Sequence, residues 1–282
     1  MQTPDDGIEI TRVLAETFLV DGEYHQTIDS TNNRAKALAG SGQIGLPYLV
    51  LAEEQTAGRG RALRRWWTGR GSLAFSIILP LTEERPVNRL SEKENSTSRA
   101  RPKAFLCEDG IRLLGLAGAL AVYRAASRHL PSDISLGIHW PNDVYANDRK
   151  LAGVLVEITG NQRAVVGIGV NVNNRSEDAP PHAQHKVATL RELCGQPQNR
   201  TELLIDILQE FEPLFELLKN QPERLAEEAN RVCLQKGREL VLEVEQGLVT
   251  GLCLGIDPTG ALVLKTVSGE RRFLSGTVVA VE

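Results

Sequence analysis

Cysteine is scarce and scattered. Cys107, Cys194, Cys233 and Cys253 form no Cys-x-x-Cys pair, which argues against a zinc site and leaves four free, buried thiols as the expectation. His182 and His185 stand beside Pro180 and Pro181 with no carboxylate or cysteine to complete a metal set, so a loop is expected there. No apolar run approaches the roughly 20 residues needed to cross a bilayer. The N-terminus, with Asp5, Asp6 and Glu9, lacks the basic start and apolar stretch of a secretory signal. A cytoplasmic protein without a membrane partner is therefore expected. Positive charge is not in excess either: 32 Lys and Arg against 36 Asp and Glu leave a net charge of −4, and that balance does not favour nucleic acid.

What is present is an ordinary globular composition over 282 residues, enough for one large domain or a large and a small one with a full core. Residues 1–21 are weakly amphipathic. Ser30-Thr31 before Asn32 to Leu38 reads as a helix N-cap. Tyr48 to Ala52 and Leu73 to Leu79 read as buried strands, and Gly58 to Arg70 is too rich in glycine and arginine to be a packed element. Residues 83–103 have the composition of a mobile surface insertion. Phe105 to Leu130 repeats apolar residues at spacings of three and four, the mark of a core-facing helix. Strands follow at Ser135–Trp140, Val144–Ala146, Leu151–Ile158 and Ala164–Val172, the last two joined by a Gly160-Asn161 turn. Thr201 to Leu218 is a helical pattern that Pro213 is expected to kink or split, and Pro222 to Val232 is a second, shorter helix. After Lys236-Gly237 the chain turns to short alternating strands at 239–245, 248–254, 261–267, 270–274 and 277–281, separated by turn residues. Those strands predict a small SH3-like barrel. The expected division is residues 1–233 and 234–282, with an α+β, mixed-sheet larger unit.

Four segments can carry chemistry. Gly58-Arg59-Gly60-Arg61, with Arg64, Arg65 and Trp66, combines bare backbone with forked cationic donors suited to phosphate. It is neither a Walker A loop, since Gly-Lys-Ser/Thr is missing, nor a dinucleotide fingerprint; its blander reading is a basic surface loop. In Trp140-Pro141-Asn142-Asp143, Asp143 can accept a hydrogen bond from a ribose or an amine, or the segment is merely a turn. Lys150, at the start of Lys150-Leu151-Ala152-Gly153, can reach a phosphate or acyl oxygen, or it is a solvated strand-end lysine. Gly167-Ile168-Gly169-Val170-Asn171 places two glycines in a strand, a sign of close approach by a ligand or another element.

In that order, and followed by the alternating tail, these motifs resemble those of the biotin–protein ligase family over about residues 22–282. The resemblance implies a catalytic core related to class II aminoacyl-tRNA synthetases and a C-terminal SH3-like barrel. It implies ATP with Mg²⁺, biotin as substrate and biotinyl-5′-AMP as intermediate. By the same resemblance Lys150, Asp143 and Arg61 are catalytic. Ser30, Thr31, Asn32, Gln55, Gly58, Arg59, Gly60, Arg61, Trp66, Lys150 and Gly153 bind biotin. Arg59, Arg61, Arg64, Trp66, Asn142, Asp143, Lys150, Gly169 and Asn171 bind ATP or the adenylate, and no protein ligand to a metal is assigned. Ser275-Gly276-Thr277-Val278 is similar to the family's C-terminal signature. His139, Ala62-Leu63 and Thr68-Gly69-Arg70 depart from the common pattern, and the 83–103 insertion is longer than usual. The family also has a form with an upstream DNA-binding domain; Ser30 comes too early for it, so a ligase-only form without a DNA partner is expected. The implied protein partner is a biotin carboxyl carrier protein, and a homodimer is compatible with the resemblance. Lipoate–protein ligase is the nearest rival, and a non-catalytic nucleotide- or partner-binding module is the rival of another class.

Overall fold

The structure is a computed structural model that describes residues 7–41, 44–61, 64–82, 105–160 and 162–281. The 83–103 insertion and Ala62-Leu63 lie outside the described residues. The chain runs α1 (Ile10–Glu16), β1 (Asp21–Ile28), α2 (Thr31–Ser41), β2 (Tyr48–Gln55), β3 (Leu73–Pro80), α3 (Glu108–Ser127), β4 (Leu136–His139), β5 (Asp143–Ala146), β6 (Arg149–Thr159), β7 (Arg163–Val170), α4 (Leu190–Cys194), α5 (Arg200–Asn220) and α6 (Pro222–Arg231). The tail supplies β8 (Glu239–Val244), β9 (Gly247–Ile256), β10 (Leu262–Thr266), β11 (Gly269–Phe273) and β12 (Thr277–Val281).

A mixed seven-stranded sheet in the order β1-β2-β3-β7-β6-β5-β4 forms the larger unit; β1 and β2 are parallel and every other pair is antiparallel. The two-residue period of a strand divides its side chains between two faces. Leu49, Leu51, Phe75, Ile77, Val154, Val166 and Ile168 join the main core with α3 and α5. Tyr48, Val50, Ile78 and Val165 close over α2 on the other face. The helix start expected near Ser30 is present: Ser30 Oγ accepts from Asn33 N at 3.5 Å, and Thr31 is the first helical residue. The tail is an antiparallel sheet in the order β11-β10-β9-β8-β12, an SH3-like unit as expected. We propose the division of the chain at residues 233 and 234. That segment runs beside β4, with Leu234 N donating to Ile138 O at 3.0 Å. Among the described residues no helix is long and apolar enough to cross a membrane.

Two expectations need correction, and one strand was not expected. Of the kink or split expected at Pro213, the split is absent: α5 is one element from Arg200 to Asn220. Pro213 and Gln209, whose carbonyl loses the i+4 donor, are both exposed, so water can replace the missing bond. The thiols are not uniformly buried: Cys233 and Cys253 are, Cys194 is half-buried and Cys107 is exposed. Cys107 sits at the N-cap of α3, where its Sγ accepts from Gly110 N at 3.3 Å. Strand β1 had no sequence signal. It is a polar edge strand, Asp-Gly-Glu-Tyr-His-Gln-Thr-Ile, paired on one side only with β2.

Candidate active site

The sheet face that carries α2 becomes a pocket floor towards β6 and β7, because the residues there have almost no side chain. Gly153 on β6 is registered against Gly169 on β7, and Gly167 on β7 lies between Ser76 and Leu155. A Cβ on Gly169 would run into the indole of Trp66, and one on Gly167 into Asn32 Oδ1. The two glycines of β7 thus let a helix start and an indole lie directly on the backbone. Gly169→Val is expected to displace Trp66 and cost about 1–3 kcal/mol of packing. A ligand-binding titration accompanied by thermal unfolding would check this, and an unchanged pocket affinity would contradict it.

Residues 58–60 and 64–66 pair with one another. Trp66 N donates to Gly58 O at 2.9 Å, Gly60 N donates to Arg64 O at 2.7 Å, and Arg59 and Arg65 form an isolated antiparallel bridge. Its arginines have separate destinations. Arg61 Nη1 donates to Asn142 Oδ1 at 3.1 Å, spanning the pocket to the turn between β4 and β5. Burial holds the Arg61 guanidinium below its usual pKa, partly offset by Asp143. Arg64 Nη2 donates to Thr277 Oγ1 at 3.5 Å, so the tail unit helps to wall the site. Arg59 turns away to Glu157 on β6, with Nη1 and Nη2 at 3.1 and 3.0 Å from its two oxygens.

Lys150 and Asp143 meet at the centre. The β5–β6 hairpin turns at Asn147 and Asp148, both with positive φ (48° and 58°), the geometry of a two-residue turn matched to strand twist. That hairpin brings Lys150 Nζ to 2.5 Å from Asp143 Oδ2 and to 5.6 Å from the Trp66 ring centroid. Trp66 Nε1 is buried against Gly169 with no hydrogen-bond partner among the described residues.

At the opposite end lies a hydroxyl and amide cluster. Gln55 Oε1 accepts from Thr31 N at 2.9 Å, and Gln55 Nε2 donates to Thr68 Oγ1 at 3.0 Å. Ser76 Oγ lies 2.7 Å from Asn32 Oδ1 and 2.9 Å from Thr31 Oγ1. Asn32 Nδ2 donates to Glu157 Oε2 at 3.0 Å. Burial alone would raise the Glu157 pKa, but Lys36, Asn32 and Arg59 outweigh it and hold the carboxyl below its usual range.

A cavity of about 280 Å³ joins these groups. Of the residues expected from sequence, Ser30, Thr31, Asn32, Gln55, Arg59, Gly60, Arg61, Arg64, Trp66, Asn142, Asp143, Lys150, Gly153 and Gly169 line it. Gly58 and Asn171 do not. Gly58 packs under Trp66. Asn171 stands behind the lining, where its Nδ2 donates to Lys150 O at 3.3 Å and its Oδ1 accepts from Asn174 Nδ2 at 3.0 Å. Sequence reasoning missed Tyr145, His139, Ser76 and Glu157. Tyr145 and His139 stack at 4.5 Å beside Asp143. Burial, then Asp143, pushes the Tyr145 phenol up to about 12. Burial lowers His139, whose Nδ1 faces the Gln235 amide nitrogen at 3.2 Å. The only sequence signal for Tyr145 and Glu157 was strand alternation, which places them on the same face as Asp143 and Gly153.

Comparison with known proteins matches this architecture to a class. Residues 24–173 fit the model of the biotin/lipoate A/B protein ligase family, and the chain belongs to that family. Residues 237–280 fit the biotin protein ligase C-terminal domain, which narrows the class to chains that carry this tail. The chain is 30% identical to a biotin–[acetyl-CoA-carboxylase] ligase of Paracoccus denitrificans, over 86% of this chain and 93% of that one. It is 27% identical to the bifunctional ligase/repressor BirA of Bacillus subtilis, over 90% of this chain and 72% of that one. Its fold superposes on the biotin protein ligase of Aquifex aeolicus in complex with biotin and ATP with a TM-score of 0.73, at 26% identity, covering 94% and 99% of the two chains.

Proposed function

We propose that this chain activates biotin with ATP to biotinyl-5′-AMP and transfers the biotinyl group to a lysine of a biotin carboxyl carrier protein. The observation that carries the reading is the juxtaposition at the pocket centre: Lys150 beside Asp143, with Arg61 bridging to Asn142 above a glycine floor. The hydroxyl and amide cluster of Thr31, Asn32 and Gln55 suits the polar ring of biotin and leaves the acid end directed at Lys150.

In the first step a biotin carboxylate oxygen attacks the α-phosphorus, the bond to the β-phosphate oxygen breaks, and pyrophosphate leaves. Both reactants are anionic, so their repulsion is the main obstacle. Lys150 and Arg61 offset that charge in a site already organised for it. Mg²⁺ would supply further charge neutralisation on the phosphates; among the described residues no three His, Cys, Asp or Glu side chains converge to hold a metal. In the second step the acceptor amine attacks the acyl carbon, the acyl C–O bond breaks and AMP leaves. The amine must first shed a proton, since its ordinary pKa is about 10.4. Asp143 orients that amine and stabilises its developing charge; as a carboxylate it is a weak base.

Incubation with ATP, Mg²⁺, labelled biotin and an apo carrier domain tests the proposal: one label per carrier domain, on a single lysine, is expected. ATP–pyrophosphate exchange supported by lipoate and not by biotin would move the chain to the lipoate branch. Binding of nucleotide without turnover would leave only a binding module. Arg61→Gly is expected to release biotinyl-5′-AMP about 10- to 100-fold faster, the loss of one charged hydrogen bond. The escaped adenylate should label bystander proteins, and retention equal to wild type in a filter-binding assay would remove Arg61 from this role. A cytoplasmic location, a monomer or homodimer, and no DNA partner belong to the same proposal.

A further inference from the structure

Glu157 lies on β6 outside the cavity lining, yet three basic or amide groups, two from α2 and one from the 58–66 segment, end on it. Lys36 of α2 reaches Oε1 at 2.8 Å, Asn32 at the start of α2 reaches Oε2 at 3.0 Å, and Arg59 spans both oxygens. Arg59 Nη1 also donates to Asn33 Oδ1 at 2.9 Å. Both terminal nitrogens of Arg59 are thus committed to protein acceptors, although its side chain borders the same cavity as Lys150 and Asp143. Arg59 is bridged to Arg65 across the base of the 58–66 hairpin. Whatever fixes Arg59 therefore fixes the strand pair that presents Arg61, Arg64 and Trp66. A two-pronged carboxylate–guanidinium contact fixes both distance and angle.

From this geometry, and resting on the reading above, we infer that Glu157 is a positioning residue that latches the 58–66 hairpin over the bound adenylate, and that Arg59 serves as the other half of the latch and not as a phosphate ligand. The same carboxylate holds Asn32, so loop position and the start of α2 are set together. Lys36 shares the acid, and among the described residues it has no hydrogen bond to the hairpin, which separates a latch from a general support of α2.

The test compares Glu157→Gln, Arg59→Met, their double variant and Lys36→Met in the full chain. Glu157→Gln is expected to raise hydrogen exchange at the Gly60 and Trp66 amides of the unliganded protein about tenfold, the effect of one lost charged contact. It should shorten the lifetime of bound biotinyl-5′-AMP by a similar factor while adenylate formation stays within about twofold. Arg59→Met should match it in hairpin exchange and in adenylate lifetime, and the double variant should add nothing to either, as coupled partners do. Lys36→Met should leave hairpin exchange at the wild-type level. Additive effects, a much larger loss from Arg59→Met alone, or equal loosening by Lys36→Met would each overturn the latch. The exchange measurement needs no catalysis. A wild-type chain inactive on biotin whose hairpin still loosens in Glu157→Gln would sink the ligase reading and keep the latch; an active chain with an unmoved hairpin would do the reverse.

Discussion

Lys150→Ala is expected to cut biotin-dependent pyrophosphate release about 100- to 1,000-fold, the effect of removing one preorganised charge from the transition state, worth about 2.7–4 kcal/mol. The reason is positional. Lys150 is held at 2.5 Å from Asp143 and beside Trp66, in a pocket that it lines together with Arg61 and over a glycine floor. Without it, the approach of carboxylate to phosphate meets uncompensated repulsion, and Asp143 is left as an unpaired negative charge on the same path. Fold and melting temperature should change little, since Lys150 is part-exposed at a strand start. Pyrophosphate exchange and circular dichroism on the same sample decide the matter. Near-normal exchange with intact structure would remove Lys150 from the chemistry.

Arg200→Met is expected to lose about 3–5 kcal/mol of stability, because it strands a buried carboxylate. Arg200 opens α5, and its Nη1 lies 2.9 Å from both oxygens of Glu53 and 3.1 Å from Ser72 O, with side-chain exposures of 4% and 9% for the ion pair. This pair joins the helix layer to β2 two residues before Gln55, and to the residue that precedes β3. Urea unfolding is the measurement. The double variant Arg200→Met with Glu53→Leu should recover much of the loss, since two apolar side chains leave no charge to solvate. A single-variant loss below about 1 kcal/mol would show that water or another group already serves Glu53.

Much of the site was legible because its chemistry sits in short, contiguous segments. Gly58 to Trp66, Trp140 to Asp143 and Lys150 to Gly153 are each unusual enough in composition to be noticed without knowledge of the fold, and their order along the chain carries the family resemblance that assigns their roles. The residues that escaped are those whose role depends on a distant partner. Glu157 is one acid in a strand of ordinary pattern until Arg59, 98 positions away, arrives beside it. Ser76 is one hydroxyl in an apolar run until the start of α2 is laid over it. Asn171, expected by resemblance to bind the nucleotide, is not in the cavity lining, and its Nδ2 donates to Lys150 O.

Sequence alone determined the two-part α+β organisation, because apolar periodicity and turn chemistry are local properties of a chain. It also determined the set of cationic, acidic and glycine residues available for acyl-phosphate chemistry. Only the tertiary structure decided which of them face one another. The polar edge strand β1, the unbroken α5, the turning of Arg59 to Glu157 and the contact of Arg64 with Thr277 all depend on packing between segments far apart in the chain. Side-chain direction across such distances is fixed by which faces bury together, and no local pattern encodes it.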